Sequence, residues 1–134
     1  MTGWHAGKER GMKWFWLAAS GALGTLARYG LAGWVQRAVR PGFPFGTLAV
    51  NGAGCLLAGV VWALAEHRVQ LGGEARTAVM VGFLGGFTTF SAYILETGEL
   101  LRDGQGWWAA GNIGLQTGMG LAAFFAGLAL GRWL

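Results

Sequence analysis

The chain has 134 residues, 54% of them apolar and only 12% charged, with a mean hydropathy of +0.44 and a formal net charge of +4. A soluble globular domain carries about 25% charged residues, so this balance excludes an ordinary soluble domain and describes an integral membrane protein. A single cysteine, Cys55, rules out an intrachain disulfide and a cysteine-cluster metal site, and cations scattered singly between apolar stretches form no stripe for nucleic acid.

Residues 1–13 read as a flexible polar tail; His5 there has no partner at metal-ligand spacing. Lys8, Arg10 and Lys13 ahead of an apolar run resemble the start of a secretory leader, but the apolar pattern continues through Arg28 beyond what a leader needs. It reads instead as a first span over about 14–39. A cation at the depth of Arg28 is costly and faces a bundle interior, a water-filled cavity or a partner; the plainer alternative is snorkelling to the interface. Arg37, Arg40, Pro41 and Gly42 mark the first connection, and Pro44 suits the first turn of the next helix.

The second span, about 45–65, is uncharged. Asn51 stands in it among glycines, and Thr47 falls one turn earlier on the same face. A lone amide at this depth most simply bonds to a neighbouring helix, while the two residues together also suit the wall of a passage. Glu66, His67 and Arg68, then Gly72 to Arg76, form the second connection, with His67 solvated.

The third span, about 77–101, contains GFLGGFTTFSAY, the stretch from Gly82 to Tyr93. Gly85 and Gly86 weaken regular helix, and the hydroxyls of Thr88, Thr89 and Ser91 compete for backbone partners. A helix broken at its centre is expected. In hydrocarbon, freed backbone groups persist only where protein buries them or a wet cavity receives them, and such breaks form ion and solute sites. The plainer alternative makes Gly82 and Gly86 a small-residue packing face. Phe83, Phe87, Phe90 and Tyr93 interleave with the hydroxyls; their ring edges carry the positive end of the aromatic quadrupole. Glu96 and Glu99 fall near the span's end, as flanking residues.

The fourth span, about 107–131, carries Asn112 and Gln116 on one face, with Gly114 and Gly118, then Ala123, Gly127 and Gly131, as small surfaces for helix contact. Every segment reaches the roughly 20 residues a spanning helix needs, and Trp14, Trp16, Trp107, Trp108 and Trp133 sit at segment ends as interfacial aromatics do. The fold class is therefore an all-α membrane protein of a single four-span domain over 1–134. Cations on the two sides are only weakly unequal, so insertion in both orientations is compatible with the pattern.

No enzyme is expected: the chain has no Ser–His–Asp set, no His-rich metal spacing, no P-loop and no dinucleotide fingerprint. The interior offers neutral donors and Arg28, with no carboxylate in mid-span, a set better suited to an anion than to proton coupling.

Three motifs, GALGTLARYG in the first span, PFGTLAVNGAG in the second and GFLGGFTTFSAY in the third, resemble the Fluc (CrcB) family of fluoride channels. The resemblance implies a dual-topology antiparallel homodimer in the inner (plasma) membrane that exports fluoride passively through two narrow pores. By it, Asn51 and Phe90 match the pore amide and first pore ring, with Ser91 the adjoining hydroxyl. Tyr93, Thr89, Thr47 and Arg28 join them along the expected fluoride path. Gly85 and Thr88 match positions whose carbonyls hold a structural sodium ion (Na+) on the dimer axis. The chain departs from the family in Ala92 and Tyr93, where Thr and Phe are usual. It departs again in the fourth span, where Asn112 and Gln116 align with a Tyr and a Ser, Thr117 being the rival position. Two other functions fit the size and span count: a small dual-topology drug/proton exchanger, which would need Glu66 or Glu96 deep in the bundle, and a purely structural membrane subunit.

Overall fold

The structure is a computed structural model describing residues 3–39, 42–67 and 72–134, with the side chains of 11–39, 42–66 and 72–134. Arg40, Pro41 and Arg68, which mark the connections, lie outside the described residues, as do the side chains of His5, Lys8, Arg10 and His67. The described residues form helices and no strand. Helix α1 is Gly3–Ala38 and α2 is Phe45–His67. The third segment comprises α3 (Gly73–Thr77), a π-helical stretch (Ala78–Phe83), α4 (Leu84–Phe87) and α5 (Phe90–Arg102). Helix α6 is Gly106–Trp133.

Three segments are long and apolar enough to cross a membrane: Phe45–Glu66, Gly73–Arg102 and Gly106–Trp133. They match the expected second, third and fourth spans to within a few residues. Helix α1, at 36 residues, exceeds the required length, and carries Arg28 and Arg37 inside it. It starts at Gly3, so the stretch expected as a tail before Trp14 is helical here. No proline interrupts residues 3–38, and glycine weakens a helix without forbidding it.

Two helix pairs dominate the packing: α2 against α6, and α1 against the π-helical stretch and α4. Glycine makes both possible. A Cβ on Gly59 would collide with the Phe124 carbonyl, and one on Gly127 with the Leu56 carbonyl, so α2 and α6 touch backbone to backbone. In the same way a Cβ on Gly24 would meet the Phe83 carbonyl. Close approach of this kind drives helix association where lipid supplies no hydrophobic force. Gly131 belongs to the same seam, against Ala63 and Val60, as expected. Gly114 and Gly118 do not: a Cβ at either meets nothing within 4 Å, so they face away from the protomer's own helices.

Large apolar side chains cover the outside, among them Leu23, Leu26, Trp34, Ile94 and Leu121. Trp107 is 92% exposed and Trp133 is 89% exposed, at opposite ends of α6. A surface of this kind belongs in lipid or against another subunit.

Candidate functional site

The third segment leaves the helix at Thr88 (φ −83°, ψ 157°) and Thr89 (φ −147°, ψ 117°) and resumes at Phe90. The break thus falls just after the double glycine. The small-residue alternative holds as well: Gly82 packs on Ser20 and Leu17, and Gly86 on the Gly21 carbonyl. Gly85, between them, is exposed and faces open space.

Two extended residues strand backbone groups that a continuous helix would have paired, and Asn51 takes up one set. Its Oδ1 accepts from the Thr89 N–H at 2.8 Å, and its Nδ2 donates to the Thr89 carbonyl at 3.0 Å. An amide side chain so placed mimics a neighbouring strand, satisfying donor and acceptor of one residue at once. The second hydrogen of Nδ2 goes to Gln116 Oε1 at 3.0 Å. Asn51, Thr89 and Gln116, from α2, the break and α6, therefore form one bonded cluster.

The Thr89 side chain restarts the helix: its Oγ1 accepts from the Ala92 N–H at 3.2 Å, an N-cap bond. It also lies 3.3 Å from the Ser91 hydroxyl. Thr88 Oγ1 bonds back to the Leu84 carbonyl at 2.9 Å. These substitutions free specific carbonyls. In an unbroken helix the Thr89 N–H would serve Gly85 and the Ala92 N–H would serve Thr88; here Asn51 and Thr89 Oγ1 take those donors. The carbonyls of Gly85 and Thr88 thus lose these helical donors, as two of the carbonyls around the break.

A cavity of about 820 Å³ leads from the α1–α2 connection, at Phe43 and Pro44, down to Thr89. Arg28 lines it, as its cavity placement required, together with Thr47 and Gln36. Glu96, Glu99 and Asp103 share the same wall, so the cavity carries both signs of charge. Gln36 shapes its mouth by donating to the Phe43 carbonyl and accepting from the Gly46 N–H, at 3.1 and 3.0 Å.

Glu96 corrects the expectation that it merely flanks the span. It is half-buried, and its Oε1 accepts from Thr47 Oγ1 at 2.5 Å. Thr47 and Asn51, one turn apart on α2, accordingly both point toward the third segment, Thr47 to α5 and Asn51 to the break.

The remaining expected site residues lie elsewhere. Phe90 is 74% exposed on the protomer's outer surface, its ring edge-on to Tyr93 with centroids 5.5 Å apart. Ser91 is exposed beside it. Asn112 is fully buried behind α5, its Nδ2 donating to Thr97 Oγ1 at 2.9 Å. Thr97, itself buried and bonded to the Tyr93 carbonyl at 2.7 Å, is a site residue the sequence reading missed. Thr117 is exposed.

A membrane helix opened at its centre, with its backbone held by an amide from a neighbouring helix and a polar cavity leading to it, defines a small multi-pass membrane transport protein. Its family is CrcB: the family model described as "CrcB-like protein, Camphor Resistance (CrcB)" matches residues 15–128, and the chain belongs to that family. It is 53% identical over 120 residues to the fluoride-specific ion channel FluC of Desulforapulum autotrophicum, covering 90% of this chain and 96% of that one. It is 50% identical over 116 residues to that of Solidesulfovibrio magneticus, covering 87% and 93%. For the FluC of Nitrosococcus oceani the identity is 45% over 117 residues, covering 87% and 94%.

Proposed function

We propose that this chain is a fluoride-selective channel that lets fluoride leave the cell passively across the plasma membrane, as an antiparallel homodimer with two narrow pores. The relatives' names support the ion, and one observation supports the location: the Asn51 clasp on Thr89 sets Phe90 and Ser91 outward at the end of the cavity. Rings and hydroxyls exposed on one protomer complete a wall only when a second copy covers them. Arg28 offsets part of the negative charge that Glu96, Glu99 and Asp103 bring to the cavity, and the path continues past Thr47, Thr89 and Asn51 to Phe90, Ser91 and Tyr93. Asn112 and Gln116 lie on its α6 side.

Fluoride holds its water firmly, so the path has to replace hydration with aimed donors while binding loosely enough to release. Neutral N–H, O–H and ring edges supply that without a fixed charge that would trap the ion. The carbonyls of Gly85 and Thr88 fit a hard monovalent cation such as Na+, since both lack their helical donors and Gly85 lies on the exposed face. A sodium ion there would tie two copies together; it takes no part in conduction.

The test is ion efflux from liposomes holding the purified chain. Fluoride is expected to leave rapidly, chloride to stay, and the rate not to follow an imposed proton gradient. One observation favours a second reading: Glu96 sits inside the cavity against Thr47, where an exchanger would keep a titratable group. Flux that rises and falls with the proton gradient would establish that exchanger and remove the channel.

A further inference from the structure

Two amide atoms on α6, Asn112 Oδ1 and Gln116 Nε2, are buried and have no partner among the described residues. Buried polar atoms are almost always paired, so two at one place call for a shared explanation. Residues four apart lie one above the other on a helix face, with Cβ atoms about 5–6 Å apart. Amide groups carried on side chains at that spacing can reach a single small species lying between them. Asn112 leaves an acceptor open and Gln116 a donor, the pair that one water molecule satisfies.

The other end of the Asn112 amide decides whether this is the only arrangement. Its Nδ2 donates to Thr97 Oγ1, and that hydroxyl donates to the Tyr93 carbonyl. The Tyr93 carbonyl also lies within reach of the Thr97 N–H in the α5 ladder, so the hydroxyl can turn away without stranding backbone. A hydroxyl donates as readily as it accepts. Turned toward α6, it donates to Asn112 Oδ1 once that amide has rotated end for end. The Asn112 Nδ2 then faces Gln116 Nε2, and the same turn presents two N–H donors, which suit an anion.

We propose that Thr97 is a positioning residue: by offering Asn112 either an acceptor or a donor, it lets the Asn112–Gln116 turn alternate between a water site and a fluoride site. The proposal rests on the fluoride-channel reading and adds a step to it beside Asn51, to which Gln116 is bonded. Each arrangement keeps Asn112 bonded to Thr97 and both amides bonded to the occupant. The fluoride arrangement gives up the bond from the Thr97 hydroxyl to the Tyr93 carbonyl, so an ion is accepted without being held tightly.

Liposome efflux of the full chain tests it, with Thr97→Val removing the hydroxyl at constant shape and Thr97→Ser keeping it. Fluoride efflux is expected to fall about tenfold or more in Thr97→Val, the scale of one lost buried hydrogen bond, and to stay within about twofold of wild type in Thr97→Ser, which preserves both arrangements. Asn112→Asp, which has no N–H to present, is expected to lose efflux as Thr97→Val does. The chain has two asparagines, Asn51 and Asn112, so 15N-asparagine labelling gives two side-chain amide signals. The Asn112 signal is expected to move on addition of sodium fluoride, but not sodium chloride, in wild type and Thr97→Ser. It is expected to stay fixed in Thr97→Val. Wild-type efflux with Thr97→Val equal to it, or with an Asn112 signal indifferent to fluoride, overturns the role of Thr97 alone. Wild-type protein passing no fluoride overturns the channel reading and this step with it. Should Thr97→Val not fold, Asn112→Asp decides: efflux at the wild-type rate refutes the proposal.

Discussion

The α2–α6 crossing and the third segment draw on the same small residues and end in opposite states. In the crossing, Gly59 and Gly127 bring two backbones into contact, and both helices run unbroken for 23 and 28 residues. In the third segment Gly82 and Gly86 do the same against α1, yet the chain leaves the helix at Thr88. Glycine content does not separate the two cases. What separates them is the partner: opposite Thr89 stands Asn51, which offers both an acceptor and a donor to one residue's backbone. An opened membrane helix must have its freed groups met from within the protein. Small residues permit close approach, and a matched amide on the adjoining helix is what allows a break.

The comparison is broken most directly by Asn51→Asp. A carboxylate keeps an acceptor for the Thr89 N–H but has no donor for the Thr89 carbonyl or Gln116 Oε1, and buries a charge beside them. Two lost buried bonds imply a fall in fluoride efflux of about 100-fold or more, measured in liposomes alongside the melting temperature in detergent. Undiminished efflux would mean that the break and the path are unrelated. Phe90→Ile comes next. Its ring is 74% exposed and, among the aromatic rings of the described residues, touches Tyr93 alone, so protomer stability should change by about 0.5 kcal/mol or less. Efflux should still fall by about tenfold, the scale of one lost transition interaction. A loss of stability as large as the loss of flux would place Phe90 in the fold and not in the pore.

Much of this was legible in residue order. The apolar blocks gave three spans to within a few residues, and the double glycine followed by Thr-Thr located the break. The cavity placement of Arg28 was also readable, because a cation flanked by so much apolar sequence needs water or a partner. Legibility failed where the answer depended on which helix lies beside which. Glu96 read as flanking because nothing local tells that Thr47, on another helix, points at it. Thr97 was passed over since a threonine near a helix end commonly bonds to its own backbone, as this one also does. Gly114 and Gly118 read as contact surfaces on spacing alone, and spacing does not say which face of α6 meets α2.

That last difference supplies the two smaller tests, on one helix. Gly127→Val places a side chain against the Leu56 carbonyl and the Val60 N–H. Overpacking of this kind costs about 1–3 kcal/mol, so the melting temperature should drop while the surviving protein stays selective for fluoride. Gly118→Ala, less than three turns away, adds a Cβ with nothing within 4 Å. Alanine is the better helix former by up to about 1 kcal/mol, so this variant should be as stable as wild type or slightly more so, with efflux unchanged. A large loss on Gly118→Ala would show that a second copy packs on this face of α6. The proposed dimer contact at the Gly85 and Phe90 surface would then have to include α6 as well.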